Sequence, residues 1–329
     1  MAPDRHAFVR LTTLFLGFIQ LVTSSSPQQN EQHEEVEWSG WGGNTYNNWW
    51  ASSNTDISSQ TVSSLTAHCN LSFPIGVSAT PTVSGKTVFP IWDVFHASTQ
   101  RWSISVTALI RNYAPISPFQ AQNVRPVSRT SPQVHGDVVF FGTLTHALVV
   151  AVDKSSGAVL VVGSSSVEEN VTLLPGYQCC SFVGNIMALF FDPVKNKFKV
   201  ARNVNTISER RKREGWAGSA VWGSQPSVDG KRRLVFVGTG NAYAASNATV
   251  QCQLATMPPE VPYTLNNNTC LPDHVWQDSI LAIELDSGRV KWVQQQYGVD
   301  IFTAACGYPG FGPQDPVLCP GVPGPDYDF

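Results

Sequence analysis

The sequence has few charged residues, since Asp, Glu, Lys and Arg make up only 14% of its 329 residues. Coiled coils and long solvated helices need many more charges, so both classes are excluded, and the 25 Gly and 22 Pro favour short strands joined by tight turns. The net charge is also small, 21 − 24 = −3. We therefore predict a β-rich globular protein without a nucleic-acid-binding surface.

Long apolar runs are also missing once the first 30 residues are passed. A bilayer-spanning helix needs roughly 18 such residues, so no membrane span is expected in the mature chain. The start combines Arg5 and Arg10 with an apolar stretch over 11–22 and small residues over 23–26, which is typical of a secretory signal peptide. We predict that residues 1–25 are removed and that 26–329 form one secreted domain; a buried N-terminal helix is the alternative.

The cysteines and glycosylation motifs agree with a secretory route. Two pairs, Cys252 with Cys270 and Cys306 with Cys319, close segments rich in Pro and Asn and are predicted to be local disulfides. Cys179 and Cys180 are adjacent, so Cys69 is the odd one of the seven cysteines, which suggests a missing partner. Asn-x-Ser/Thr glycosylation motifs occur at Asn70, Asn170, Asn247 and Asn267.

One basic run, over residues 209–214, begins and ends with Glu and contains no aromatic residue. Aromatic residues between the charges would favour nucleic-acid binding, so we interpret the run as a solvated loop. The pair Lys212-Arg213 is also compatible with dibasic processing in a secreted chain.

A unit of strand, strand, Asp-x-x-Ser-Gly turn and strand recurs along the chain. Its clearest copies cover residues 136–157 and 231–292, the second with a long insertion, and looser copies cover 84–102 and 184–200. Short apolar runs separated by such turns are typical of antiparallel strands, and their repetition predicts an all-β β-propeller. A β-sandwich shares the short strands but does not explain why the turn returns with the same flanks.

The repeat resembles that of the quinoprotein alcohol dehydrogenases, eight-bladed β-propellers that bind pyrroloquinoline quinone (PQQ). More specific matches are similar to the secreted, polyvinyl-alcohol dehydrogenase-like branch of that family. They follow the family's order along the chain: Trp38-Ser-Gly-Trp-Gly-Gly-Asn44, Ser128-Arg-Thr-Ser-Pro132, Val162-Gly-Ser-Ser-Ser-Val-Glu-Glu169, Tyr177-Gln-Cys-Cys-Ser-Phe182, Ala220-Val-Trp-Gly-Ser-Gln-Pro226, Gly238-Thr-Gly-Asn241 and Gly324-Pro-Asp-Tyr-Asp-Phe329.

The resemblance implies PQQ and Ca²⁺ as cofactors. In the family a Glu and an Asn hold Ca²⁺ against the quinone, and oxygen donors suit this hard cation. Position in the motifs assigns these roles to Glu168, with Glu169 as the alternate, and to Asn241. The structural alternatives are a solvated turn for the two glutamates and a turn position after Gly240 for Asn241.

Further residues are implied as cofactor contacts. Trp222 lies where the family's tryptophan stacks beneath PQQ, Arg129 is a candidate partner for a PQQ carboxylate, and Ser165 lies in the serine-rich motif. A disulfide between Cys179 and Cys180 would be rigid and flat enough to face the quinone, although in methanol-oxidising relatives the vicinal disulfide lies in an earlier blade. The alternatives are a core tryptophan for Trp222 and a strand-end cap for Arg129.

The catalytic base should be a carboxylate within hydrogen-bond reach of the substrate hydroxyl. Asp326 is the first choice, because a turn fixed by Pro325 presents it rigidly, and Asp300, in a segment similar to the family's Trp-x-x-Gln…Asp, is the second. Asp328 is a further candidate. An ordinary loop aspartate is the alternative at each position.

The chain also departs from the family pattern. Gly157 is followed almost directly by the serine-rich motif, where the family has further strands, and the sequence ends at Phe329, where the family continues. We therefore expect an incomplete, C-terminally truncated ring. Two functions follow: a secreted alcohol dehydrogenase that passes electrons to an external acceptor such as a cytochrome, or a catalytically inactive remnant that acts at most as a binding module.

Overall fold

The computed structural model describes residues 9–14, 18–23, 38–50, 56–67, 70, 79–90, 93–96, 99–114, 128, 130–143, 145–164, 180–221, 225–256, 270–303 and 324–327. The chain divides into two compact units. Unit 1 comprises Met1–Ser165, Ala188–Ala201 and Gln225–Val228, and unit 2 comprises Ser166–Met187, Arg202–Ser224 and Asp229–Phe329.

The regular structure is mainly β. In chain order the strands are β1 (Val9–Leu14), β2 (Phe18–Thr23), β3 (Thr82–Ser84), β4 (Thr87–Phe89), β5 (Asp93–His96), β6 (Thr99–Ser103), β7 (Gln133–His135), β8 (Val138–Gly142), β9 (Leu148–Asp153), β10 (Val159–Ser164), β11 (Asn185–Asp192), β12 (Lys197–Asn205), β13 (Ala217–Gly218), β14 (Ser227–Asp229), β15 (Leu234–Gly238), β16 (Ala242–Ala244), β17 (Ser279–Glu284) and β18 (Val290–Gln295). The helices are α1 (Val106–Tyr113), α2 (Glu209–Arg213) and α3 (Asn247–Thr256), with 3₁₀ turns at Val62–Ser64 and Thr145–Ala147.

Three of the predicted repeats coincide with four-stranded sheets, and the copy over 184–200 supplies two strands of a fourth sheet. Two of them are simple meanders, with strand orders β3-β4-β5-β6 and β10-β9-β8-β7. A third has the order β14-β15-β17-β18, and the predicted insertion, which carries β16 and α3, separates β15 from β17. The fourth has the order β12-β11-β1-β2, in which β1 pairs with β2 in antiparallel orientation. The remaining pair, β13 with β16, is antiparallel.

The Asp-x-x-Ser-Gly turn has a clear physical basis in Asp153, at the end of β9. Its Oδ1 accepts hydrogen bonds from the backbone N–H groups of Ser155 at 3.1 Å and Ser156 at 2.8 Å, and from both serine hydroxyls. These bonds to the ionised form lower the pKa of Asp153 to about 2. Gly157 closes the turn at φ +72°, a conformation that favours glycine. Loss of the acceptor at Asp153, of the serine hydroxyls or of Gly157 would therefore weaken the turn.

In unit 1 the sheet of β7–β10 is covered on both faces. One face packs with Phe89, Trp102 and the buried side of α1 in a single hydrophobic cluster. On the other face, Phe140 makes an edge-to-face contact with Phe191 at 5.3 Å between ring centroids. Every residue from Leu148 to Val152 is accordingly buried, which explains why β9 is a continuous apolar run rather than an alternating one.

The basic run at 209–214 forms helix α2 and its C-cap, so the prediction of a loop was wrong. The prediction that the run is solvated is confirmed, because none of its residues is buried. Ser208 caps the helix by accepting a hydrogen bond from the backbone N–H of Arg211 at 3.4 Å. The Arg211 guanidinium forms ion pairs with Glu214 and Asp273, and its side chain is only 15% exposed. The helix forms because a serine cap precedes residues of good helix propensity. None of the helices in the described part is long and apolar enough to cross a membrane.

The predicted disulfide between Cys252 and Cys270 is present, with a Cα–Cα distance of 5.6 Å. It joins α3 to the chain 18 residues further on. Cys270 is buried and belongs to a core cluster that includes Trp216, Val275 and Ile301. The bond therefore fixes the insertion against the core of unit 2.

We expect the double replacement Cys252→Ser/Cys270→Ser to lower the free energy of unfolding by about 3 kcal/mol, because an open loop of this length gains conformational entropy in the unfolded chain. Urea unfolding followed by far-ultraviolet circular dichroism measures the change. The unmodified chain in a reducing agent should move in the same direction. Unchanged unfolding midpoints in both experiments would contradict the prediction.

Candidate functional site

Asn241, the predicted metal ligand, is fixed in unit 2 just before β16. Its side chain is 1% exposed, and its Nδ2 donates to the carbonyl oxygens of Ala242 at 2.9 Å and Phe302 at 2.8 Å. The backbone carbonyl of Asn241 accepts a hydrogen bond from the backbone N–H of Ser219 at 2.7 Å. Both amide hydrogens are used by these bonds, so Oδ1 is the atom of the side chain that is suited to a cation.

Asp300, the second candidate base, lies beside Asn241. Ala242 and Ile301 form a parallel bridge, in which the Ala242 N–H donates to the carbonyl of Asp300 at 2.9 Å and the Phe302 N–H donates to the carbonyl of Ala242 at 2.9 Å. This pairing places residues that are 59 positions apart, Asn241 and Asp300, next to each other on adjacent chain segments. The sequence alone did not indicate this neighbourhood.

The Asp300 side chain is fully buried, with 0% exposure. Burial raises its pKa to about 6, although hydrogen bonds from the backbone N–H groups of Tyr327 and Asp326 act in the opposite direction. No Lys, Arg or His pairs with this carboxylate within the described ranges. A carboxylate of this kind is ionised at neutral pH yet basic enough to accept a proton.

Asp326, the first candidate base, meets Asp300 through its backbone. Its N–H points at Oδ1 of Asp300 at 3.3 Å, and the Tyr327 N–H donates to Oδ2 at 2.9 Å. Asp326 itself has φ +64°, a left-handed conformation that aspartate tolerates better than most residues. Burial raises the pKa of its carboxyl group, but the residue is only partly buried. The structure thus brings Asn241, Asp300 and Asp326 together in one place.

Sequence reasoning missed two hydroxyl groups beside these residues. Ser219 is 0% exposed and has φ +53°, and its Oγ has no hydrogen-bond partner among the described atoms. The buried Oγ1 of Thr303 also lacks one, within the same part of the chain. Ser219 bonds to the main chain of Asn241, and Thr303 follows Phe302, which accepts a hydrogen bond from the Asn241 side chain. Only the position of Ser219 directly after Gly218 could have drawn attention to it.

Several predicted site residues lie outside the described residues, so their roles stay predictions: Arg129, Ser165, Glu168, Glu169, Cys179, Trp222 and Asp328. Cys180 is described and is disulfide-bonded. The other described cysteines, Cys252 and Cys270, bond to each other, so the partner of Cys180 is outside the described residues. Within those residues no cluster of three or more His, Cys, Asp or Glu side chains is present.

Asn241 and the chain segments next to it carry oxygen donors, the type that a hard cation prefers. They are the Asn241 amide oxygen, the Asp300 carboxylate and the hydroxyls of Ser219 and Thr303, which have no hydrogen-bond partner within the described part of the chain. Gly324 adds a close approach, because a Cβ there would lie 2.1 Å from Oδ1 of Asp300. Oxygen ligands of this kind favour Ca²⁺ over softer metals.

Comparison with known proteins gives matches in sequence. A polyvinylalcohol dehydrogenase of Sphingopyxis sp. (strain 113P3) is 29% identical over 177 residues, which is 52% of this chain and 22% of that protein. A polyvinylalcohol dehydrogenase of Pseudomonas sp. is 25% identical over 177 residues. No protein-family model matches the chain. The match thus spans about a fifth of the length of these relatives, and the predicted resemblance is confirmed for that part.

Solved structures give matches in fold. A quinohemoprotein alcohol dehydrogenase from Pseudomonas putida HK5 superposes with a TM-score of 0.54 at 17% identity, covering 80% of this chain and 40% of that one. A europium-containing methanol dehydrogenase superposes with a TM-score of 0.53 at 16% identity, covering 79% of this chain and 49% of that one. The predicted all-β fold of quinoprotein type is therefore confirmed, as part of the larger fold.

Proposed function

We propose that this chain functions as a secreted quinoprotein oxidoreductase that oxidises alcohol groups with PQQ and Ca²⁺. Its similarity to proteins named polyvinylalcohol dehydrogenases supports an alcohol as the substrate. The observation that carries the proposal is the buried Asp300 carboxylate next to Asn241, because it unites a base and an oxygen donor for a cation.

Asp300 is proposed as the general base. It would accept the hydroxyl proton of the alcohol on a carboxylate oxygen, and its pKa of about 6 makes it ionised at neutral pH. Asp326, which the sequence favoured, is less buried and contributes its backbone N–H to Asp300. Burial and the hydrogen bonds thus favour Asp300 for the proton and Asp326 for support.

The cofactor would lie beside these groups. Pyrroloquinoline quinone supplies, when bound, a two-electron acceptor for the hydrogen on the alcohol carbon. The Asn241 Oδ1 and Glu168, with Glu169 as the alternate, are proposed to hold Ca²⁺. Trp222, Arg129, Ser165 and the Cys179-Cys180 pair stay proposed cofactor contacts, and an external acceptor such as a cytochrome is proposed to take the electrons.

A binding module without turnover is the second candidate. The matches cover 22% of the polyvinylalcohol dehydrogenase and 40% of the solved alcohol dehydrogenase, so the activity of those whole proteins is not carried over to this chain. Such a module would bind PQQ with Ca²⁺ but would not reduce an acceptor dye in the presence of an alcohol. Dye reduction therefore distinguishes the two functions.

Binding of PQQ to the purified chain tests the cofactor assignment. We expect binding, followed by quenching of tryptophan fluorescence, to require Ca²⁺ and to weaken by about 10-fold or more in Glu168→Gln, because the charge of its ligands sets the affinity of a Ca²⁺ site. Glu169→Gln is the matched control and should change the affinity less. Loss in Glu169→Gln alone would move the ligand by one residue, and an absence of Ca²⁺-dependent binding in the unmodified chain would refute the proposed function.

A further inference from the structure

A short segment late in the chain holds the side chain of Asp300. This segment, Gly324–Tyr327, is called the carboxylate clamp below. The Tyr327 N–H donates to Oδ2 of Asp300 at 2.9 Å, and the Asp326 N–H points at Oδ1 at 3.3 Å. Each carboxylate oxygen thus has a backbone donor of its own, and such donors are strongest when the acceptor is ionised.

The carboxylate clamp is also anchored independently of the Asp300 side chain. The Gly324 N–H donates to the carbonyl of Ile301 at 3.0 Å. At the other end, the Tyr327 ring meets Tyr297 edge to face, with 5.1 Å between the centroids. Between these anchors Asp326 has the left-handed φ of +64°. An unfavourable conformation of this kind persists only where the surrounding contacts determine it.

Gly324 cannot carry a side chain in this arrangement. A Cβ at this position would lie 2.1 Å from Oδ1 and 2.7 Å from Cα of Asp300. Separations below about 3 Å between such atoms exceed what packing can absorb without movement. The glycine therefore allows the segment to approach the carboxylate closely enough for both backbone donors to reach it.

We propose that the carboxylate clamp is the positioning element of Asp300, an inference that rests on the proposed function. Two donors on two oxygens fix the plane of the carboxylate, and an ionised carboxylate has about four lone-pair sites, so about two are left for a substrate hydroxyl. A displacement of about 1 Å in a reacting group can cost ~100-fold in rate, so a carboxylate that is held rigidly keeps a higher rate. Asp326 and Tyr327 act through Asp300 and are positioning residues.

Amide hydrogen exchange of the purified chain, followed residue by residue by nuclear magnetic resonance, tests the hydrogen bonds. In Asp300→Asn the side chain keeps one acceptor oxygen and gains an NH₂ group that faces a donor, so exchange at Asp326 or Tyr327 should become ~10-fold faster or more. Asp326→Asn is the matched control, since it makes the same chemical change but keeps both backbone donors and a residue that tolerates φ > 0. Its exchange at both amides should stay slow.

A second pair of variants tests the close approach and separates positioning from folding. Gly324→Ala should speed exchange at both amides and, with PQQ and Ca²⁺ bound, lower kcat by about 10-fold or more while KM stays the same. Gly230→Ala is the control, because a Cβ there meets nothing within 4 Å. It should change neither exchange nor kcat.

The outcomes separate the two proposals. Slow exchange that is lost in Asp300→Asn and Gly324→Ala, but kept in both controls, supports the carboxylate clamp. Fast exchange at both amides in the unmodified chain, or equal loss in Asp300→Asn and Asp326→Asn, overturns it. An absence of PQQ binding would refute the proposed function without altering the exchange result.

Discussion

Replacing Asp300 by asparagine is expected to lower kcat for alcohol oxidation by about 100- to 10,000-fold, the usual contribution of a general base. The carboxamide has nearly the same shape but cannot accept a proton at neutral pH. The measurement is PQQ- and Ca²⁺-dependent reduction of an acceptor dye with an alcohol as the electron donor. Binding of PQQ should survive the replacement, which would separate a lost base from a lost cofactor.

The dependence on pH gives the same prediction a second readout. Because burial raises the pKa of Asp300 to about 6, the carboxylate is protonated below that pH and ionised above it. As a base it must be ionised, so kcat/KM should rise about tenfold for each pH unit up to about 6 and then level off. The value of kcat/KM therefore increases with pH.

The same replacement at Asp326 decides between the two candidate bases. Asp326→Asn is expected to cost at least ten times less in kcat than Asp300→Asn, because Asp326 reaches Asp300 through its backbone N–H, which asparagine retains. A larger loss in Asp326→Asn than in Asp300→Asn would instead support Asp326, the residue that the sequence favoured.

Local features of the fold could be predicted from the sequence because their causes are local. The turn after β9 needs an acceptor at Asp153, hydroxyls at Ser155 and Ser156 and a left-handed residue at Gly157. All four residue types can be identified from the sequence. At the later copy Glu284 takes the first position, accepts the Ser287 hydroxyl at 2.7 Å and is again followed by a left-handed glycine. The β-sheets formed by the repeats could therefore be predicted from local sequence.

The site could be predicted only in part, because its neighbourhoods are tertiary. Motif resemblance named Asn241, Asp300 and Asp326, but their meeting depends on the bridge between Ala242 and Ile301, which no local pattern encodes. The preference for Asp326 came from the rigid turn at Pro325, whereas burial, which distinguishes Asp300, appears only once the chain is folded. The helix α2 was not predicted, because the charge pattern alone does not indicate a helix, whereas the N-cap at Ser208 does.

Gly218 is a position in unit 2 where a single methyl group should be strongly destabilising. It has φ +97° and pairs with Ala242, the residue after Asn241. A Cβ there would lie 2.3 Å from the backbone nitrogen of Tyr243 and 2.9 Å from the carbonyl carbon of Ala242. Both obstacles are main-chain atoms of β16, so they cannot turn aside as a side-chain tip would.

We expect Gly218→Ala to lower the free energy of unfolding by about 3 kcal/mol or more, through backbone strain of about 1–3 kcal/mol and overpacking of a similar size. Urea unfolding measures the loss, and Gly230→Ala is the control, because its Cβ would meet nothing within 4 Å. To avoid the clash β13 must move away from β16, which would also break the bond from the Ser219 N–H to the carbonyl of Asn241. Ca²⁺-dependent PQQ binding should therefore weaken in Gly218→Ala even where the chain stays folded. Equal stability of the two variants would show that β13 can shift at no cost and that the position of Asn241 does not depend on this glycine.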